Sequence, residues 1–235
     1  MDAHGSTALM YASYEGHASV VEAILQYDHK DINRSNQYGT SSLLFACKNG
    51  HTEVVRLLLQ YDVEVDAHDS RGETALMRAS ELGYSDIVKL LLMGRADVLK
   101  KSHNGSSAVI YASTNGHYDV VKLLLKYGAD VHSANNDGET AIMQSKAMGY
   151  SDITQMLIEH GADPKSSLRW GSAKNLIGSF KKTFGGSQRA LPRAPLVDLD
   201  EEDDQETNKN VPKDENRDKP ITAEQDFVGI VARVD

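Results

Sequence analysis

The sequence predicts an all-α repeat solenoid, in which short helix pairs stack side by side. Two series of glycines recur with spacings of 34, 33, 33 and 33 residues, and the second series follows the first by eleven residues. The first series is Gly5, Gly39, Gly72, Gly105 and Gly138, and the second is Gly16, Gly50, Gly83, Gly116 and Gly149. A fixed period of this length, repeated five times, is typical of a solenoid built from one supersecondary unit.

Each repeat is predicted to begin with a short first helix. A hydroxyl residue follows each glycine of the first series after one variable position, and such side chains cap helix starts by accepting a free backbone N–H. These residues are Thr7, Ser41, Thr74, Ser107 and Thr140. Three small or apolar residues come next, and small pairs such as Ala12-Ser13 follow in the same helix. The second glycine ends the helix because glycine adopts the left-handed conformation freely.

The second helix of each repeat carries an apolar stripe at the i, i+3, i+4 spacing of a buried face. Gly94, Gly128 and Gly161 are predicted to close three of these helices. Asp28 and Asp62 stand in that place in the first two repeats, where aspartate is predicted to adopt the left-handed turn.

The combined pattern G-x-T-A-L-M-x-A-S, then G-H/Y, V-V-x-L-L-L and G-A-D, resembles the ankyrin repeat, most clearly at 72–97 and 105–130. The resemblance covers residues 2–164 and implies a β-turn plus an antiparallel helix pair in each repeat, with a concave binding face. The family's usual proline is replaced by Ala8, Ser42, Ala75, Ala108 and Ala141, and its usual histidine by Met10, Leu44, Met77, Ile110 and Met143. We expect these departures to shift each repeat modestly, since proline at a helix start is favoured but not required.

Composition divides the chain into an acidic body, a basic segment and an acidic tail. Residues 1–164 carry a net charge of −8, residues 165–197 carry +7 and residues 198–235 carry −8. We expect five repeats at about 1–35, 36–68, 69–101, 102–134 and 135–164. A basic amphipathic or capping helix is expected at 165–184, a disordered acidic linker at 185–220 and a candidate docking motif at 221–235.

The chain of 235 residues has the features of an intracellular protein. Its one cysteine, Cys47, cannot form an internal disulfide. The first residues have neither the basic nor the apolar part of a signal peptide. No apolar run approaches the ~18 residues of a membrane span. We therefore expect a monomer in the cytoplasm, with the nucleus as the alternative.

The candidate binding surface follows from the resemblance and from diversity among the repeats. By analogy with the family, partners would contact the turn tips and the exposed side of the first helices. These slots vary while the framework does not, although an unconstrained surface would vary as well. The candidate protein-binding residues are His4, Tyr14, Glu15, Gln37, Tyr38, Lys48, Asn49, Ser70, Arg71, Glu81, Leu82, His103, Asn104, Thr114 and Asn115. Tyr14, Tyr38 and Arg71 are the preferred anchors, because aromatic and arginine side chains dominate interface energetics.

Catalytic and metal motifs are not found in the sequence. It contains no G-x-S-x-G, no H-E-x-x-H and no phosphate-binding glycine loop after a strand. His17, His51 and His117 share one repeat slot with Tyr84 and Tyr150, and tyrosine is not an ordinary zinc ligand. We therefore predict no enzyme activity, no metal and no cofactor, and a protein-binding role as adaptor or scaffold.

The basic segment 165–184 has two main interpretations. It could form an amphipathic helix that meets anionic lipid or an acidic partner, which would make the protein a peripheral membrane adaptor. The contact residues would then be Trp170, Lys174, Phe180, Lys181 and Lys182. The favoured alternative is a capping helix over repeat five. Nucleic acid is not predicted as a ligand, because an acidic body repels phosphate.

The tail from residue 198 is strongly acidic, with seven acids in the nine residues 198–206. Such a stretch cannot bury enough apolar surface to order itself. It either solubilises the chain or docks on the repeats until a partner displaces it, which would make the protein an autoregulated module.

The two ends of the array should differ. Repeat five has Ser145-Lys146 where the other repeats have a small pair, as expected for an end repeat that meets water. Repeat one keeps the interior pair Ala12-Ser13. We therefore expect an apolar face on its N-terminal side, which is either covered or frays.

Overall fold

The computed structural model describes residues 1–166. The expectations for the remainder of the basic segment, for the acidic linker at 185–220 and for the docking motif at 221–235 lie outside the described residues. Over residues 1–166 the structure contains ten α-helices in five pairs. This confirms the predicted all-α repeat solenoid.

The first helix of each pair, which we call the inner helix, is short. The inner helices are α1 (Ala8–Glu15), α3 (Ser42–Lys48), α5 (Ala75–Leu82), α7 (Ala108–Asn115) and α9 (Ala141–Ala147). The outer helices are α2 (Ala18–Tyr27), α4 (Thr52–Leu59), α6 (Ser85–Met93), α8 (Tyr118–Lys126) and α10 (Ser151–Glu159). Inner helices pack on neighbouring inner helices and outer helices on neighbouring outer helices, so the described helices form two layers.

All five predicted hydroxyl residues are the N-caps of the inner helices, with extended backbones. The side chains of Thr7, Ser41 and Thr74 accept the backbone N–H three residues on, at 3.2, 3.3 and 3.4 Å. Ser107 and Thr140 occupy the same position without that hydrogen bond. Inner helices therefore begin where the sequence predicts, even where the side-chain cap is not made.

The ends of the outer helices correct part of the sequence analysis. Gly94 has φ −76° and is not left-handed; the next residue, Arg95, has φ 65° instead. Asp28 is extended at φ −159°, and Asp62 is not among the residues with positive φ, so the predicted left-handed aspartates are wrong. Arg95 lies 33 residues before Gly128, which has φ 86°. The period of 33 aligns Arg95 with Gly128, but it also aligns Asp62, which is not left-handed, so the turn differs between repeats two and three.

The segments that join one repeat to the next form hairpin-like turns, which we call fingers. Each is closed by an isolated β-bridge, at Ser35–Ser41, His68–Thr74, Lys101–Ser107 and Ala134–Thr140. Adjacent fingertips are joined by backbone hydrogen bonds. Gln37, Ser70, His103 and Asn136 donate their N–H to His4, Tyr38, Arg71 and Asn104 at 2.9–3.0 Å. The fingers are therefore held in a continuous row beside the inner helices.

The two ends of the described array differ as expected. Val20 is 46% exposed, whereas Val54, Ile87, Val120 and Ile153 in the same slot are 1–2% exposed. Ala8 is also exposed, although its four counterparts are buried. At the other end, Ser145 and Thr154 share a hydrogen bond of 2.8 Å, and Lys146 Nζ donates to the carbonyl oxygens of Pro164 and Ser166. The first repeat thus presents an apolar face, and the fifth repeat a polar one.

Candidate protein-binding site

Three slots on each inner helix lie on the side that meets the fingers, and we call these slots with the fingertips the inner face. The slots selected from the sequence are the seventh helical position and the residue after it, which is the last helical residue in α1, α5 and α7 and the C-cap in α3 and α9. The fourth position, one turn earlier, joins them at the i, i+3, i+4 spacing of one helix face. Its residues are Tyr11, Phe45, Arg78, Tyr111 and Gln144. The sequence analysis missed this slot, although it varies among the repeats as much as the other two.

Contacts across the inner face show that the missed slot belongs to it. The Tyr14 and Phe45 rings meet edge to face with centroids 5.6 Å apart. Tyr111 Oη donates to Glu73 Oε1 at 2.9 Å, and Tyr11 Oη donates to Asp2 at 2.7 Å. The fourth slot therefore joins neighbouring repeats and carries three aromatic rings onto the same surface.

Several predicted residues are engaged locally. Asn49 and Asn115 donate their side-chain amides to the carbonyls of Phe45 and Tyr111, one turn back in their own helices. Thr114 donates to the Ile110 carbonyl at 2.8 Å. These side chains satisfy the ends of their own helices. Their polar groups are therefore less available to a partner than the sequence suggested.

Other predicted residues at the fingertips form a polar row. His4 Nδ1 lies 2.8 Å from Gln37 Nε2, and the His4 ring lies beside Tyr38. Asn104 Oδ1 accepts from Ser102 Oγ and from the Ser106 N–H, which stabilises the finger closed by the Lys101–Ser107 bridge. Glu15, Ser70, Leu82 and His103 are exposed at the surface.

A groove of about 370 Å³ lies between the fingers and inner helices of repeats two and three. One wall is formed by the fingertips at Tyr38 and Arg71, and the other by the helix residues Phe45, Lys48 and Arg78. The groove brings together four predicted residues, Tyr38, Lys48, Ser70 and Arg71, with two residues of the missed slot.

An ion-pair network stabilises one side of this groove. Glu73 Oε2 lies 2.9 Å from Arg71 Nη2 and 3.1 Å from Arg78 Nε. These are close contacts without hydrogen-bond geometry, so Tyr111 provides the directional hydrogen bond to Glu73. Arg78 also donates to Glu81 at 2.5 Å. Because both partners of the Glu73–Arg78 pair are largely covered, their positions are fixed before any ligand arrives.

Burial has a visible effect on the acid–base properties of this network. It raises the pKa of Glu73, while the hydrogen bond from Tyr111 and the charge of Arg71 act in the opposite direction. Burial also raises the pKa of Tyr111 to about 12, so its hydroxyl stays a donor at neutral pH. The pKa of Glu81 is raised by burial against the charges of Arg71 and Lys48.

The histidine slot is structural, as predicted. His51 Nε2 lies 2.9 Å from the Tyr14 carbonyl, and His117 Nε2 lies 2.9 Å from the Glu81 carbonyl, so each ring joins two repeats. A Cβ at Gly16 would lie 2.4 Å from the His51 ring, which explains why a glycine is required there.

Cys47 is fully buried, and burial raises the pKa of its thiol, so it is not an activated nucleophile. Within residues 1–166, no group of three or more His, Cys, Asp or Glu side chains is placed to hold a metal ion. None of the ten described helices is both long enough and apolar enough to cross a bilayer.

The described residues thus form a helical-repeat solenoid of ten helices, with a varied inner face. The model of the family described as ankyrin repeats (3 copies) matches residues 9–102 and 95–167, more than half of the chain. The chain therefore belongs to the ankyrin-repeat family. Members of this family are generally protein–protein interaction modules. No curated protein matches the chain.

Proposed function

We propose that this protein is a non-catalytic adaptor or scaffold that binds a partner protein through its inner face. The observation that carries the proposal is the composition of the solvent-facing slots. On the outer helices, two such slots are polar in all five repeats: Ser19, Glu53, Asp86, Asp119, Asp152 and Glu22, Arg56, Lys89, Lys122, Gln155. The inner face presents Tyr11, Tyr14, Tyr38 and Leu82 to solvent within three successive repeats. The outer layer also exposes large side chains, but they lie apart, with Val20 and Tyr27 in the first repeat and Tyr118 and Tyr127 in the fourth. Exposed aromatic and apolar residues grouped on one face are typical of protein interfaces.

The array at 1–164, in five repeats, is the binding body in this proposal. Tyr14, Tyr38 and Arg71 remain the proposed anchors, and Phe45 and Arg78 are added because they form the groove. Side chains of these types contribute most of the energy in characterised interfaces. The partner's identity is left to experiment.

A binding experiment with matched aromatic deletions tests the proposal. The full-length chain, the variant Tyr14→Ala/Tyr38→Ala and the control Tyr118→Ala/Tyr127→Ala would each be used to capture proteins from cell extract. The control removes two exposed tyrosines from the outer-helix layer. We expect a partner bound by wild type and control to be lost by at least about tenfold from the inner-face variant. Retention by the inner-face variant, or loss from the control, would contradict the proposal.

Two narrower versions of this function depend on residues beyond 166. In the autoregulated version the tail competes with the partner, so deleting residues 198–235 should raise partner affinity. In the peripheral-membrane version Lys181→Glu/Lys182→Glu should abolish binding to anionic vesicles. An unchanged affinity counts against the first version, and vesicle binding that is absent at every salt concentration counts against the second.

A further inference from the structure

The charges of the groove between repeats two and three are not equally available to a ligand. Lys48 is exposed, and none of the described carboxylates lies in ion-pair contact with it. The Arg71 side chain is 59% exposed, whereas those of Asp69, Glu73 and Glu81 are 13%, 9% and 28% exposed. Arg71 is also in ion-pair contact with Asp69 at 3.5 Å and with Glu73 at 2.9 Å. An approaching ligand therefore meets Lys48 as a cation that no described carboxylate pairs, and Arg71 as an exposed cation shared with two covered acids.

The three acids are also engaged within the protein. Asp69 Oδ1 accepts the backbone N–H groups of Arg71 and Glu73 at 2.9 and 3.0 Å. Glu73 accepts from Tyr111 Oη, and Glu81 accepts from Arg78. A carboxylate that already accepts such bonds has less to gain from a cationic ligand. The groove therefore favours an anionic group near Lys48, although the formal charges of Lys48, Arg71 and Arg78 are balanced by those of the three acids.

Aromatic side chains flank the two cations. Tyr38 is exposed beside Arg71, and the half-buried ring of Phe45 lies on the wall opposite Tyr38, one helical turn before Lys48. The Tyr14 ring, which belongs to the preceding repeat, packs edge to face against the Phe45 ring. A volume of about 370 Å³ is at the low end of small-ligand pockets, so the groove suits one or two side chains of an extended segment.

We propose that this groove binds a peptide segment of the partner in which an aspartate or glutamate lies next to an aromatic or large aliphatic residue. The carboxylate contacts Lys48 and Arg71, and the apolar side chain packs against Tyr38 and Phe45. This proposal rests on the protein-binding function proposed above and names the chemistry of the partner. Because residues 1–164 carry a net charge of −8, an acidic segment is repelled by most of the array. The local cations therefore fix its position on the inner face as well as its affinity.

Selection from a random peptide library on the immobilised full-length chain tests the chemistry. Selected peptides should be enriched in an acid within one or two positions of an aromatic or large aliphatic residue. Enrichment of lysine and arginine would mean that Glu73 and Glu81 select the ligand, and it would overturn the proposal. Absence of any acid enrichment would overturn it as well.

Exchanging the charges of Lys48 and of the peptide acid tests whether these two groups are in contact. For one selected peptide, Lys48→Glu should weaken binding by at least about tenfold, because an attractive contact becomes a repulsive one. The same variant should bind better than wild type when lysine replaces the acid of the peptide. Lys89→Glu makes the same charge change on an outer helix and should leave both affinities unchanged. Since Lys48 forms no ion pair with a described carboxylate, the variant is expected to fold, and thermal unfolding checks this.

The outcomes separate this inference from the proposed function. If Lys48→Glu binds acidic peptides as wild type does, the acidic-segment proposal is wrong. The proposed function still stands in that case, provided that Tyr14→Ala/Tyr38→Ala loses the partner. If instead the outer-face control Tyr118→Ala/Tyr127→Ala loses the partner, the proposed function itself fails.

Discussion

The inner and outer helices are built from the same repeat, yet their solvent-facing slots differ in kind. Two outer slots are polar in every repeat, which is what solvation alone requires. The fourth inner slot holds Tyr11, Phe45, Arg78, Tyr111 and Gln144, and its members reach across to neighbouring repeats or fingers. The difference supports the proposal that the inner face is the binding side, although the outer layer also exposes Tyr27, Tyr118 and Tyr127.

The buried side of the helices repeats the same residue types from one repeat to the next. We call these buried positions the framework of the array. Val21, Val55, Val88 and Val121 occupy one outer slot and are fully buried in four successive repeats. Single repeats cannot bury their apolar faces alone, so these layers depend on a neighbour on each side. Framework substitutions should therefore change stability, and inner-face substitutions should change binding.

The largest expected effect is on the packing of the outer helices. Val54→Ala should lower the free energy of unfolding by about 2 kcal/mol, since two buried methyl groups are removed and a cavity is left. Val20→Ala is the matched control, with the same chemistry in the same slot, but Val20 is exposed. We expect it to cost less than about 1 kcal/mol. Urea unfolding of both variants measures the difference, and equal costs would show that the first repeat is covered as completely as the second.

A smaller effect is expected at the left-handed position that follows α6. Arg95→Gly should stabilise the protein by about 0.5–1 kcal/mol, because relief of the left-handed strain exceeds the entropy that glycine adds to the unfolded chain. Gly128→Arg places the same residue in the same slot of the next repeat, where a Cβ meets no atom within 4 Å. It should destabilise by a similar amount. Thermal unfolding tests both changes, and a destabilising Arg95→Gly would contradict this explanation of the turn.

Much of the fold could be predicted because the repeat period shows which residues of the five repeats occupy equivalent positions. The five capping residues, the glycines that end the inner helices and the apolar stripes all follow from aligning residues 33 apart. Arg95 was missed because the nearest glycine, Gly94, was aligned with Gly128, although the period places Arg95 there. A strict period would have placed Arg95 in this slot, but it also places Asp62 there, and Asp62 is not left-handed.

The candidate site was predictable only in part. Tyr38, Lys48 and Arg71 were selected for their variability, but the groove also needs Phe45 and Arg78, which the sequence places inside an apparently apolar helix. The i, i+3, i+4 rule applied backward from Lys48 and Asn49 would have found Phe45. The covering of Glu73 by two arginines and a tyrosine joins residues up to 38 positions apart, and one sequence does not reveal such pairings.

The central claim is that the partner contacts the inner face, and site-specific crosslinking tests it most directly. A photo-crosslinking amino acid would be placed at Lys48 or Glu81 on the inner helices, and at Lys89 or Lys122 on the outer helices, in the full-length chain. Each product with the captured partner would be identified by mass. We expect partner adducts from positions 48 and 81 and none from 89 and 122. Adducts from the outer positions alone would place the interface on the opposite layer and contradict the claim.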